Sequence, residues 1–347
     1  MRPTRTSEGR TVSNQHNDLL LDVKDLKVYF HLDEGLLKAV DGVGFQVRRQ
    51  RTLGLVGESG CGKSVTAQAI MRIVPKPGVV QGEILLRRKN SSILVDLAAM
   101  DPFGEEIRGI RGAEIAMIFQ EPMKAFSPVH TIGNQIMEGI LLHCTKDKRE
   151  AYEIALEMLS RVQMPNPKQR MEEYPHQLSG GMRQRAMIAM ALSCRPSILI
   201  ADEPSTALDV TVQAQVLRLM KDLQASLGMA LIFITHDMGV IAEMADEVAV
   251  MYLGRIVEFA DVDTIFHQPM HPYTLELLRS IPTLDREPRT LLTTIEGTVP
   301  VPLNLKPGCG FYSRCKQGSK GVCDVEDPPL VEVEAGHWVR CFRENAA

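Results

Sequence analysis

The sequence lacks any charge imbalance: 39 Lys and Arg stand against 43 Asp and Glu, a net charge of -4. No global field therefore argues for nucleic acid as a partner. Hydrophobic residues make up 44% of the chain, yet no apolar run approaches the roughly 18 residues that a membrane span requires. Met1 to Asp18 has no apolar secretory core; it is polar, mixed in charge and expected to be a disordered tail. These absences predict a cytoplasmic protein that meets a membrane only through a partner. Paired Cys-x-x-Cys knuckles are also missing, which argues against a zinc ribbon.

What is present is a phosphate-binding pattern. Gly57-Glu58-Ser59-Gly60-Cys61-Gly62-Lys63-Ser64 follows the apolar run Leu53 to Val56, which reads as a buried strand. It precedes Val65 to Met71, which reads as a helix start. Glycines at those places let backbone N–H groups curl round an anion at a helix N-terminus. Lys63 then sits on the β- and γ-phosphates of a nucleoside triphosphate, and the Ser64 hydroxyl binds Mg²⁺. A Gly-rich turn without a ligand is the plainer alternative, and the strand and helix flanks disfavour it.

With 347 residues the chain is long enough for one large and one smaller domain. Leu19 to Phe30 and Ala39 to Val47 read as a hairpin around Asp33-Glu34-Gly35, and Gly82 to Leu86 with Ile93 to Leu97 as another. Phe30 either stacks on a purine or packs in the core. Ile115 to Phe119 is a buried-strand pattern ending at Gln120, and residues 121–178 read as a helical insert with helical spacing from Ile132 to Val162. Ser179-Gly180-Gly181 then opens a helix that carries Gln184 and runs through Ala191, a second potential anion site at a helix N-terminus. Two such sites on one chain make sense if the second faces the nucleotide of a partner subunit.

Ile198 to Ala201 is an apolar run capped by Asp202 and Glu203. Strand tips in a parallel sheet open onto the ligand crevice, so Asp202 is expected beside the Mg²⁺ of Ser64. Glu203 is expected to orient and deprotonate the attacking water. A merely solvated acidic strand end is the alternative. Ser205 to Asp209 leads into an amphipathic helix from Val210 to Leu223; Ala230 to Thr235 is a further buried strand, with His236 at its tip in reach of a γ-phosphate. The Val240 to Ala245 helix and a hairpin around Gly254 close the core.

In order and spacing these blocks resemble the ATP-binding cassette ATPases, the motor subunits of ABC transporters, from about Leu20 to Ala260. Gly57 to Ser64, with Val65 behind it, matches Walker A; Gln120 matches the Q-loop, Leu178 to Gln184 the signature segment, Ile198 to Glu203 Walker B, Ser205 to Asp209 the D-loop and His236 the switch histidine. The resemblance implies an α/β P-loop NTPase fold over residues 19–262: a RecA-like core, an antiparallel β subdomain and a helical subdomain at about 121–178. It implies that two cassettes bind head to tail, each ATP lying between Walker A of one and the signature segment of the other. Phe30 then falls where the family puts the aromatic on adenine, Glu203 is the base, and His236 and Gln120 sense the γ-phosphate and Mg²⁺.

Past residue 262 the resemblance narrows. Ile265 to Pro269 followed by His271-Pro272-Tyr273-Thr274 looks like the segment after the cassette in the oligopeptide and dipeptide permease ATPases, so 263–347 is expected to be their small C-terminal extension. That branch implies ATP-driven peptide uptake at the cytoplasmic face of the inner membrane, beside a second, paralogous ATPase, two permease subunits and an extracytoplasmic binding protein. Importers of nickel chelates or oligosaccharides share the same motor. A soluble cassette ATPase acting on ribosomes or DNA normally has two cassettes or a coiled-coil insert, and neither is present. A non-enzymatic regulator would need a lost base, and Glu203 is intact.

Cys309, Cys315, Cys323 and Cys341 crowd this extension with five, seven and seventeen residues between them. Four thiolates suit a 4Fe-4S cluster, which some members of the branch carry, or zinc, or remain free thiols. Pro300, Pro302 and Pro307 leave the segment poor in regular structure, so a metal staple gives it a reason to fold. Nothing in the spacing places these cysteines near the phosphate loop.

Overall fold

The computed structural model describes residues 18–89, 91, 93–120, 125–205, 209–281 and 295–343. The expected tail thus lies outside the described residues up to 17, as do 121–124 and 206–208 of two motif loops. Strands β1 (Leu19–Leu32) and β2 (Gly35–Arg48) form the first hairpin, which starts at Leu19 as read and runs further toward its turn than the sequence spacing predicts. Strand β3 (Thr52–Val56) is buried at every position and feeds helix α1 (Lys63–Ile70). Then come β4 (Gly78–Arg87), β5 (Leu94–Asp96), α2 (Glu105–Ile110) and β6 (Ile115–Ile118).

The expected helical insert holds α3 (Ile132–His143), α4 (Lys148–Arg161) and α5 (Pro167–Met171). The helical spacing read over 132–162 resolves into two helices, and Asp147 caps the second by accepting from Arg149 N. Helix α6 (Gly180–Leu192), β7 (Ile198–Asp202), α7 (Val210–Leu227), β8 (Ala230–Thr235), α8 (Met238–Met244), β9 (Glu247–Tyr252) and β10 (Arg255–Asp261) complete the core pattern.

Two sheets result. One is antiparallel in the order β2-β1-β4-β5, and the other, with β11 (Val331–Glu334) and β12 (His337–Val339) at its edge, runs β11-β12-β10-β9-β3-β8-β7-β6. In the larger sheet β6, β7, β8, β3 and β9 are parallel. Strands β3, β6, β7 and β8 are buried at every position, as a sheet covered on both sides demands. Leu199 and Ala201 of β7 face the helical core with α3, α4, α6 and α7, whereas Ile198 and Ile200 face the core shared with α1 and the antiparallel sheet. The architecture is therefore helices, central sheet and antiparallel sheet in three layers.

The C-terminal extension joins this frame rather than trailing from it. Helices α9 (Val262–His267) and α10 (Pro272–Arg279) follow β10. Strands β11 (Val331–Glu334) and β12 (His337–Val339) form a hairpin that adds to the edge of the large sheet through Glu258↔Val339 and Phe259↔Trp338. Glu258, fully buried on β10, accepts from Met270 N (2.7 Å) and His271 N (3.1 Å) and lies 2.8 Å from His337 Nε2. One carboxylate so cross-links the core, the start of α10 and the last hairpin. Such a buried acid is tolerable only because its lone pairs are filled.

Candidate functional site

Parallel register brings the motif-bearing strand ends to one edge. Val56 pairs with Thr235, Asp202 with Ile234 and Ile118 with Ala201, so the turns after β3, β6, β7 and β8 open side by side. The resulting cleft, about 580 Å³, is lined by Ser59, Gly60, Gly62, Lys63, Ser64, Val65, Gln120, Glu203, Phe30 and Leu37. His236 reaches the same place through Glu203.

The phosphate-loop turn depends on glycine where the chain passes under its neighbours. At Gly62, with φ +101°, a Cβ would lie 2.3 Å from Ala39 O. At Gly57 it would lie 2.3 Å from Met251 O. Any other residue forces the loop off the strand beneath it. The loop is closed by Thr66, whose N–H and hydroxyl both donate to Gly62 O (2.9 and 3.0 Å). Cys61 is fully buried, and burial holds its thiol above the usual range, so it serves as a small apolar filler.

Lys63 is 5% exposed and folds back over its own loop, donating to Gly57 O (2.7 Å) and Glu58 O (3.0 Å). Ser64 Oγ donates to Asp202 Oδ1 at 3.1 Å. Burial, with the Glu203 charge beside it, raises the Asp202 carboxyl above the ordinary range against the opposing effects of Ser64 and Lys63. A hydroxyl and a buried carboxylate so paired are hard oxygen donors that suit Mg²⁺.

Glu203 stands at φ +47°, in the left-handed region that a glutamate seldom occupies. Its Oε2 accepts from Gln120 Nε2 (2.9 Å) and its Oε1 lies 3.0 Å from His236 Nδ1. Its N–H donates to Ile234 O (2.9 Å), which ties the turn to β8. Strain held by packing at the end of a strand is a recurrent property of reacting groups.

Other residues singled out from sequence lie elsewhere. Ser179 caps α6 by accepting from Met182 N, Gly180 is open, and Gly181 abuts Val212 of α7. Gln184 is buried with its Nε2 lacking a partner, and Asp209 caps α7 by accepting from Val212 N. None of these five lines the cleft of Lys63.

The four tail cysteines do come together: Cys309, Cys315, Cys323 and Cys341 line one small pocket with His271 and Phe311. None is in a disulfide. Burial, with the neighbouring thiols, pushes the Cys309 thiol up to about 11. Among the described residues, no three Cys, His, Asp or Glu side chains converge on a single point as one metal ion requires.

The expectation that this segment is remote from the phosphate loop is corrected by the structure. Arg314, between Cys309 and Cys315, pairs with Glu58, and Val299 to Pro302 wall the cleft opposite Phe30. This strap is pinned to β2, since Lys38 N donates to Pro302 O (2.9 Å) and Asn304 N to Leu36 O (2.9 Å). The contact joins residues 256 apart in sequence, and no local pattern announces it. The β11–β12 hairpin is likewise absent from the sequence reading, although Val331 and Val333 alternate before a turn at Gly336 and carry a local signal for it.

Known proteins place this arrangement. A model of the ABC transporter family matches residues 40–206, and one described as the oligopeptide/dipeptide transporter C-terminal region matches 257–323. The chain is 49% identical to a probable peptide ABC transporter ATP-binding protein, y4tR, of Sinorhizobium fredii, over 97% of this chain and 98% of that one. It is 48% identical to the oligopeptide transport ATP-binding protein AppD of Bacillus subtilis, over 93% and 96%. The dipeptide transport protein DppD of Bacillus subtilis is 47% identical over 94% and 95%. Among solved structures the cassette MJ0796, a dimer, superposes with a TM-score of 0.61 at 23% identity, over 70% of this chain and 99% of that one, which supports the fold. With the cleft, the strand-tip carboxylates and both family regions present in one chain, the protein belongs to the ATP-binding subunits of ABC transporters, in the branch that carries the oligopeptide/dipeptide transporter C-terminal region.

Proposed function

We propose that this chain is the ATP-hydrolysing subunit of a peptide importer and that the cleft at Lys63 binds ATP with Mg²⁺. The observation that carries the reading is the convergence of Lys63, Ser64, Asp202, Glu203, Gln120 and His236 on one edge of a parallel sheet. Walker A residues from Gly57 to Val65 cradle the phosphates, with Glu58 and Cys61 behind the loop and Phe30 against the base. Ser64 and Asp202, with Gln120, hold Mg²⁺, which neutralises phosphate charge when bound. Glu203 orients and deprotonates water, and His236 holds the Glu203 carboxylate in place.

The face formed by Ser179, Gly180, Gly181 and Asp209, with the buried Gln184 of helix α6, meets the nucleotide of a second, paralogous cassette, which explains why it lies outside the chain's own cleft. Two permease subunits and a solute-binding protein complete the assembly at the cytoplasmic face of the membrane. Among the described residues no helix is long and apolar enough to cross a membrane, in keeping with a peripheral subunit. Peptide cargo is supported by the names of the relatives. Reconstituted with the permeases, second ATPase and binding protein encoded beside it, the chain should show ATP turnover that rises with short peptides. Stimulation by oligosaccharides or nickel chelates instead would overturn the cargo and leave the motor intact.

The four-sulfur donor set suits soft metals. We propose that Cys309, Cys315, Cys323 and Cys341, which line one pocket, hold a 4Fe-4S cluster, for which four thiolates are the usual donor set, with zinc as the alternative. The expected result of anaerobic purification is iron and labile sulfide in equal amounts; zinc without iron would sink the assignment.

A further inference from the structure

The second residue of the phosphate loop is held at three points. Glu58 C=O accepts from Lys63 Nζ at 3.0 Å, an anchor within the loop itself. Its N–H donates to the Tyr273 hydroxyl at 2.9 Å, and its carboxylate takes both prongs of Arg314, Nη1 to Oε2 at 2.7 Å and Nη2 to Oε1 at 3.0 Å. The last two anchors belong to the C-terminal extension. The Arg314 side chain is 4% exposed, and its guanidinium lies 5.8 Å from the Tyr252 ring centre and 6.0 Å from that of Phe311. Its Nε donates to Glu296 O at 2.9 Å. A two-pronged pair of this kind fixes both partners in orientation as well as charge.

Arg314 closes a single helical turn, Tyr312–Arg314, with Cys309 and Cys315 on either side. Phe311 in the same turn packs edge-on against Tyr252 and tilted against Tyr273. The turn therefore cannot shift without moving the guanidinium.

We infer that Arg314 is a positioning residue for the phosphate loop: it neutralises and orients Glu58, and so makes nucleotide affinity depend on the fold of the four-cysteine segment. An uncompensated carboxylate beside the amides that cradle a triphosphate repels the ligand. Arg314 removes that repulsion and holds the loop open to the phosphates. The inference rests on the nucleotide-site reading given above, and its link to the thiols rests on the cluster assignment.

The test is equilibrium binding of ATP to the full chain, with turnover measured in the assembled transporter. Arg314→Ala should weaken ATP binding about ten-fold, the scale of a lost charge-assisted contact, with kcat at saturating ATP changed far less than KM. Arg314→Lys keeps the charge and one prong and should recover part of the loss. The double variant Arg314→Ala/Glu58→Gln should bind ATP more tightly than Arg314→Ala alone, because the repelling carboxylate is gone; a purely structural role predicts no rescue. Wild-type affinity in Arg314→Ala, or a double variant as weak as the product of the single losses, would overturn the inference. If Arg314→Ala does not fold, Arg314→Lys carries the test, and unchanged ATP affinity in that variant overturns it.

Removal of iron from the wild-type chain should weaken ATP binding, and the same treatment should leave Arg314→Ala unaffected. Equal ATP affinity of loaded and stripped wild type refutes the link to the thiols. A chain that never contains iron refutes the cluster assignment, while the Arg314/Glu58 cycle still decides the clamp. Loss of ATP binding in Lys63→Ala is the control that the loop is the nucleotide site.

Discussion

Replacing Glu203 by Gln should abolish ATP turnover while leaving ATP binding in place. The side chain changes by one atom and keeps its shape, so the turn at φ +47° and its tie to Ile234 O remain. What disappears is the carboxylate proposed above to take a proton from water. General-base catalysis is worth about 10²- to 10⁴-fold, and here the loss should lie at the upper end because the adjacent carboxylate, Asp202, is committed to Ser64. Gln120 and His236 now hold Glu203 from two sides, at 2.9 and 3.0 Å, so the base is oriented before nucleotide arrives. An amide at 203 still bonds either partner, which is why binding survives. ATP affinity and phosphate release measured on the same preparation separate the two effects; turnover within two-fold of wild type would remove Glu203 from the role.

The parts of the fold that local chemistry dictates could be read from sequence, and those that long-range contact dictates could not. Thr52 to Val56 and Ile198 to Asp202 are buried on both faces, and such uninterrupted apolar runs ending in Gly57 or Asp202-Glu203 mark parallel strands and their ligand edge directly. Ser179, Asp209 and Asp237 cap helices as their residue types suggest, each accepting from an amide two or three residues on. The helical spacing over 132–162 does not place the boundary at Asp147, because the apolar spacing of α3 and α4 stays in phase across it. The pairing of Arg314 with Glu58 left no trace of any kind, since neither residue's neighbours in sequence bear on the other. A proline-rich segment reads as poor in regular structure with a metal staple as its reason to fold, yet β2 supplies backbone partners to Pro302 and Asn304. Proline removes only its own donor and leaves its carbonyl free to accept, so strap and strand can still pair.

Replacing Lys63 by Ala should reduce ATP affinity by about 10²- to 10⁴-fold, since two phosphates each lose a charge-assisted contact of roughly 1.5–3 kcal/mol. The lysine is already in place: its ammonium rests on Gly57 O and Glu58 O, 3.7 Å from Cys61 Sγ, and so bridges the loop across the position an anion takes. Phosphate oxygens replace these carbonyls as partners at little cost in side-chain entropy, because the chain is nearly immobile before binding. The loss should therefore be much larger for ATP than for AMP, which ends before the β-phosphate. Lys63→Met, which keeps the packed stem, should lose as much affinity as Lys63→Ala yet less thermal stability, separating charge from packing. Titrations at low and high salt give a further sign: wild-type affinity should fall with ionic strength more steeply than that of either variant, because the variants have no ammonium to screen. ATP affinity within two-fold of wild type in both variants would show that the loop from Gly57 to Ser64 is not where the phosphates bind.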